Sequence, residues 1–247
     1  MSARTADHAS APVSRRERQR EQLIRDAKQA ARDLTAAEGV EGLTLAAVAR
    51  RLGVSSPALY RYFDGKQGLV RALYEDLMAE LIDTVVAAAR RQEPDDISAK
   101  LHAATRAVVS WAVANRAEFG LLMGASYPAV AESEEEIPQI LSRQLGGLFG
   151  ELFGELVDSG RLEYVRDDEL SPQLRSQLET YRQAVGLNLP LGVARLMIVC
   201  WRQIYGIACM AVYGHLAFAF DDCEALFEDM MDDLLATLGL ERSPKLR

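Results

Sequence analysis

The sequence predicts an all-α protein: a three-helix, helix-turn-helix head followed by a larger helical body. Three observations carry that reading. Apolar residues recur at helical spacing along most of the chain, whereas the Val/Ile/Thr alternation of strands is scarce. Residues 44–66 hold two short apolar stripes parted by one glycine, Gly53. Apolar residues make up 49% of the 247 residues, enough to bury a sizeable core.

Taken in order, Met1 to Val13 is Ala/Ser-rich and reads as a disordered leader over residues 1–14. Arg15, Arg16, Arg18 and Arg20 follow, interleaved with Glu17 and Glu21. They suit either a solvated helix start or an arm that touches phosphates and the minor groove. Leu23, Ala27, Ala30, Leu34 and Ala37 form the inward stripe of a first helix, which Gly39 ends. Thr44 then N-caps a short helix whose stripe is Leu45, Val48, Ala49 and Leu52. Gly53 stops it, because a helix end takes the left-handed conformation that glycine tolerates. Ser55 restarts the helix as an N-cap, with Pro57 where a missing N–H costs little. About two turns are expected, with Leu59 and Phe63 inward. Two short helices joined by a Gly-containing turn make a helix-turn-helix.

The outward side of that second helix carries donors: Ser55, Ser56, Tyr60, Arg61 and Tyr62. Such a helix can enter the major groove of B-DNA with its N-terminal residues at the base edges. Lys66 opens the next helix, where its ammonium and the backbone amides can share one phosphate. The competing reading is a helical hairpin whose tyrosines half-bury at the surface. The whole stretch LTLAAVARRLGVSSPALYRYFDGKQGLV resembles the DNA-binding domain of TetR-type bacterial transcriptional regulators, through its LT, VA, GVS, LY, YF and K positions in fixed register. Gly68 departs from the helix-favouring residue usual there. The resemblance implies that Thr44, Ser55, Ser56, Pro57, Tyr60, Arg61, Tyr62 and Lys66 contact DNA.

Charge is split in the same sense. Residues 1–71 hold 13 Lys+Arg against 8 Asp+Glu, and the rest 15 against 28, within a net charge of −8. A basic head on an acidic body turns the head toward DNA, although ordinary surface variation also produces such a split. The expected domains are therefore a helix-turn-helix domain over 15–71 and a ligand-binding and dimerisation domain over 72–247.

Lys66 opens a long helix with Leu69, Val70, Leu73, Leu77 and Leu81, running to about Arg91 before Pro94. It is the expected mechanical connector. Ile97 to Ala125 reads as one kinked or two successive helices, with Leu101, Val108, Trp111, Phe119, Leu122 and Met123 inward. Tyr127-Pro128 breaks it, and Glu132, Glu134, Glu135 and Glu136 make a solvated acidic loop. Pro138 starts another helix, whose Gly147, Gly150 and Gly154 are expected to permit close helix approach, and Gly160 ends it. Ser171-Pro172 caps a helix carrying Leu174, Leu178 and Tyr181. Pro190 begins a long apolar helix to about Gly214. Asp221 and Asp222 are expected to cap a last one, with Leu226, Phe227, Met230, Leu234, Leu235 and Leu238, before Gly239.

No GxSxG, HExxH, GxGxxG or phosphate-loop motif occurs, so no catalytic residue, metal ligand or cofactor is assigned. Cys200, Cys209 and Cys223 lack metal or redox spacing and read as reduced cysteines of a cytoplasmic protein. His102 and His215 read as structural. Arg195, Arg202, Gln203 and His215 interrupt Leu189–Phe220, against a membrane span. The segment Trp201 to Leu216 is similar to the C-terminal domain of a TetR subgroup with a Trp…Gly…Gly-His pattern. The resemblance implies a homodimer through the last two long helices, a palindromic double-stranded operator, and a small-molecule inducer releasing a repressor. Trp111, Phe119, Met123, Phe149, Phe153, Tyr181, Trp201 and Tyr205 are candidate pocket walls, but plain core is the favoured reading of each. The alternative is a helical ligand-binding or interaction protein without DNA binding.

Overall fold

The structure, a computed structural model, describes residues 14–124 and 137–244; of residues 137–139, 141 and 142 it describes the backbone alone. The expected leader apart from Ser14, the Tyr127-Pro128 break and the acidic loop lie outside the described residues. The chain divides into two compact units, Met1–Leu69 and Val70–Arg247. Ten α-helices and no strand occur among the described residues.

In the first unit, α1 spans Arg15–Gly42. A capping box opens it. Ser14 Oγ accepts from the Glu17 amide, and Glu17 returns a carboxylate oxygen to the Ser14 amide at 3.1 Å. Bonds from the Ser14 amide and hydroxyl hold the Glu17 carboxyl below its usual range. Gly39, at φ 74°, breaks the helix three residues before its last turn closes. The buried stripe is Ala27, Ala30, Ala31 and Leu34, with Leu23 half-buried. Ala37, expected inward, is exposed: it lies about 80° round the helix from Ala27, at the stripe's edge.

α2 (Leu45–Leu52) is capped by Thr44, whose Oγ1 accepts from the Ala47 amide at 3.1 Å, and is closed by Gly53 at φ 68°. Arg51 pairs with Asp33 at 2.9 Å and ties α2 to α1. α3 (Ser56–Leu59) is one turn, shorter than the two expected. The chain keeps winding beyond it through Tyr60 N–H to Ser56 and Phe63 N–H to Leu59 carbonyls, at 3.3 and 3.0 Å. Ser55 occupies the cap position without a side-chain cap bond. Leu59 and Phe63 are buried as the spacing requires.

α4 (Gly65–Arg90) starts in the first unit and continues in the second, where Leu73, Tyr74, Leu77, Met78, Leu81 and Val85 are buried. The following helices are α5 (Ile97–Ala114), α6 (Arg116–Leu122), α7 (Ile137–Asp158), α8 (Pro172–Val185), α9 (Leu191–Tyr213) and α10 (Glu224–Thr237). Asn115 separates α5 from α6, so two successive helices form. α9 packs against α5, α7, α8 and α10 and is the hub of this unit. It is also long and apolar enough to cross a membrane, by length and composition alone.

α7 and α8 approach through glycines, though not all of those expected. A Cβ on Gly146 would stand 2.2 Å from Val185 Cγ1, and one on Gly150 2.5 Å from Leu187 Cδ2. Gly147 and Gly154 face open space: Gly147 sits about 100° round the helix from Gly146, and Gly154 lies one turn beyond Gly150. Of the two aspartates expected to cap α10, Asp222 serves its first amide, although neither holds the cap position. Cys223 holds the cap position, and Asp222 Oδ1 accepts from the Glu224 amide at 2.9 Å.

Candidate nucleic-acid interface and body cavity

The turn at Gly53, the capped start of α2 and the start of α3 present one surface of donors. Ser55, Pro57, Tyr60 and Arg61 are exposed, with Tyr60 61% exposed; Ser56, Tyr62 and Lys66 are half-buried. Thr44 is exposed, but its hydroxyl oxygen is occupied in capping α2. The Arg20 guanidinium stands 5.7 Å from the centre of the Tyr62 ring, which brings the arginine-rich start of α1 to the same surface. Lys66 donates to the Glu41 carbonyl at 3.4 Å and lies 3.8 Å from its carboxylate. The surface thus combines neutral hydroxyl donors at a helix start with Arg20, Arg61 and Lys66. That mixture suits base edges and phosphates together.

The second unit holds a cavity of ≈ 340 Å³ between α7, α8 and α9. Phe149, Phe153, Tyr181 and Trp201 line it, as do Leu145, Gly146, Met197, Ile198, Cys200 and Ile204. The other candidate walls lie outside this cavity. Trp111 donates its indole N–H to Glu80 at 3.0 Å. Phe119 packs its ring 6.3 Å from that of Tyr205 and 6.2 Å from that of Tyr213. Tyr205 donates its hydroxyl to the Met123 carbonyl at 2.8 Å, and buried Tyr74 donates to the Leu122 carbonyl at 3.0 Å. Phe119, Met123 and Tyr205 therefore belong to the packing at the C-terminal end of α6, where two tyrosines satisfy carbonyls left over by the helix. The α9 spacing of Met197, Trp201 and Ile204 marks one face, but sequence does not say which helices meet it.

A larger depression of ≈ 760 Å³ runs between α5 and the α9–α10 connection. Its arginines are already engaged: Arg106 with Glu224 and Glu228, Arg116 with the Val212 carbonyl. Beside it, buried His102 meets both Glu228 carboxylate oxygens at 3.2 Å, and Arg242 reaches the same carboxylate. Among the described residues no group of three or more His, Cys, Asp or Glu is placed to hold a metal.

Two family models match the chain. Residues 29–73 match the bacterial regulatory proteins of the tetR family, and residues 101–234 match the tetracyclin repressor-like C-terminal domain. The chain belongs to the TetR family. An HTH-type transcriptional regulator of Mycobacterium tuberculosis (strain H37Rv) is 30% identical over 92% of this chain and 97% of its own. The class A tetracycline repressor of Escherichia coli transposon 1721 is 51% identical over 51 residues, 21% of this chain and 24% of its own. Among solved structures, regulatory protein SCO4313 superposes with a TM-score of 0.66 at 26% identity, over 90% of this chain and all of the other. A tetR family transcription regulator from Shewanella sp. PV-4 shares the fold, with a TM-score of 0.60 at 18% identity, over 86% of this chain and 95% of the other. This TetR-family protein is a DNA-binding transcriptional regulator. Its head match spans Thr44 to Lys66, and its body match spans the helices that enclose the cavity.

Proposed function

We propose that this TetR-family regulator is a cytoplasmic, ligand-responsive repressor that binds a palindromic double-stranded operator as a homodimer. The domain over 15–71 reads DNA through Thr44, Ser55, Ser56, Pro57, Tyr60, Arg61, Tyr62 and Lys66. The observation that carries this reading is the exposed donor surface at α3, set by Gly53 and flanked by Arg20 and Lys66. The domain over 72–247 dimerises through α9 and α10. Met210 and Tyr213, 39% and 42% exposed on α9, and Phe218 and Phe220 beyond it favour that face. A small-molecule inducer binds the body and needs no cofactor. It releases DNA by favouring the non-binding arrangement of the dimer over the binding one.

Selection of bound fragments from random duplex DNA, with cross-linked fragments from cells in parallel, tests the reading. The expected result is one enriched palindrome, its half-sites about one helical turn or a multiple apart, upstream of genes whose transcription rises when the regulator is deleted. Recovery of no sequence preference at low salt overturns it.

A further inference from the structure

We propose that the α7–α8–α9 cavity selects an uncharged, one- or two-ring aromatic molecule with a single hydrogen-bonding group, and discriminates against carboxylates and ammonium ions. The inference rests on the inducer reading above and names the class of inducer.

The walls supply the argument. Each of the ten described residues that line the cavity is uncharged, and four are aromatic: Phe149, Phe153, Tyr181 and Trp201. An ionised ligand would leave its water shell with no countercharge among these described residues, the costliest form of polar burial. The larger depression near α10, by contrast, is bordered by Arg106, Arg116, Asp221, Asp222 and Glu224. A volume of ≈ 340 Å³ lies at the low end of small-molecule sites, which run from about 300 to 1,000 Å³. It has room for a one- or two-ring molecule, and its aromatic walls favour flat rings.

Two polar atoms remain for recognition. Among the described residues, neither the Tyr181 hydroxyl nor the Trp201 indole N–H has a hydrogen-bond partner. Burial pushes Tyr181 above its ordinary pKa, so the hydroxyl stays neutral, able to donate or accept. Cys200 supplies no covalent chemistry. Burial, opposed only by the charge of Arg202, pushes its thiol up to about 12, so the nucleophilic thiolate is absent at neutral pH. The ligand is therefore held by stacking, apolar contact and hydrogen bonding of its single polar group to Tyr181 or Trp201.

The test titrates full-length protein with 2-naphthol, naphthalene, 2-naphthoate and 2-naphthylmethylammonium at pH 7.5, by calorimetry and tryptophan fluorescence. We expect 2-naphthol to bind at least about 100-fold more tightly than either ion. Tyr181→Phe should weaken 2-naphthol by about 2- to 12-fold, one net hydrogen bond, and leave naphthalene unchanged. Trp201→Phe should abolish most of the fluorescence change while calorimetric binding persists, which places the probe in this cavity; thermal unfolding of each variant confirms that it is folded. Equal or tighter binding of 2-naphthoate overturns the proposal, as does binding of none of the probes, or a fluorescence change that survives Trp201→Phe. If 2-naphthol binds as expected while operator retardation is unchanged, the ligand class stands and the inducer reading fails.

Discussion

The Lys66 ammonium is held by the end of α1, 3.4 Å from the Glu41 carbonyl oxygen and 3.8 Å from its carboxylate. The cation assigned to a phosphate is thus already engaged in the DNA-free head, and phosphate must compete with Glu41 for it. Lys66→Ala should weaken binding about equally on all sequences and lower the salt slope by about one unit. Glu41→Gln removes the competing carboxylate charge and leaves the carbonyl contact in place. Because the pair is exposed and worth no more than about 1 kcal/mol, affinity should rise by at most about fivefold, and only at low salt. Retardation assays across a salt series check both; a Lys66→Ala slope equal to the parent's removes Lys66 from the interface.

Specificity should reside in the residues at the start of α3 and just beyond it. Ser56→Ala and Tyr60→Phe each remove one donor from a short, well-positioned segment. Where that donor reads a base edge or a closely placed phosphate, the loss is about 1–3 kcal/mol. Competition between cognate and scrambled duplexes measures it. Parent-like operator binding by Ser56→Ala, Tyr60→Phe and Lys66→Ala together would show that another segment enters the groove.

Gly146 and Gly147 are neighbours with opposite expected effects. Alanine at 146 drives its Cβ to within 2.2 Å of Val185 Cγ1, and Val is stiff at its branch point. The α7–α8 contact must open, at a cost of about 1–3 kcal/mol. Alanine at 147 meets open space and gains helix propensity, so the same unit should be stabilised by up to about 1 kcal/mol. Urea unfolding of the two variants should move in opposite directions.

Glu228 gives the body an acid-sensitive contact. Burial raises its pKa, but hydrogen bonding and charge from His102, with Arg242 and Arg106, outweigh that and lower it below 4.5. A carboxylate depressed in the folded state stabilises fully above its unfolded pKa and loses that stabilisation as pH falls through the lowered folded value. Parent and Glu228→Gln should therefore differ most at neutral pH, with the gap narrowing as pH drops below about 4.5. A stability difference constant from pH 7 to 3 would exclude Glu228 as the titrating group.

Assembly should be salt-resistant. If α9 and α10 pair across a two-fold axis, the buried surface is largely apolar, and ionic screening touches it little. Sedimentation should give a dimer at micromolar concentration in low and high salt. Met210→Glu, at an exposed position of α9, should shift it toward monomer and reduce operator affinity in parallel. A monomer that retains full operator affinity would contradict the two-fold reading.

The sequence by itself determined the features whose causes are local. Thr44, Gly53, Ser171 and Gly214 end or begin helices because one side chain caps an amide or one glycine takes a positive φ. Such requirements are met within a few residues, so they can be read from neighbours in the chain. The register of family positions from Leu43 to Lys66 is legible for the same reason. Only the tertiary structure decided what depends on partners far along the chain. Trp201 and Tyr205 lie one turn apart on α9, yet Trp201 lines the cavity while Tyr205 donates to the Met123 carbonyl. Carbonyls are common to every residue, so no sequence signal marks which one a tyrosine will find. Gly146, rather than Gly147 or Gly154, faces α8 because the meeting face of two apolar helices is chosen by packing, and several faces of α7 satisfy the same periodicity.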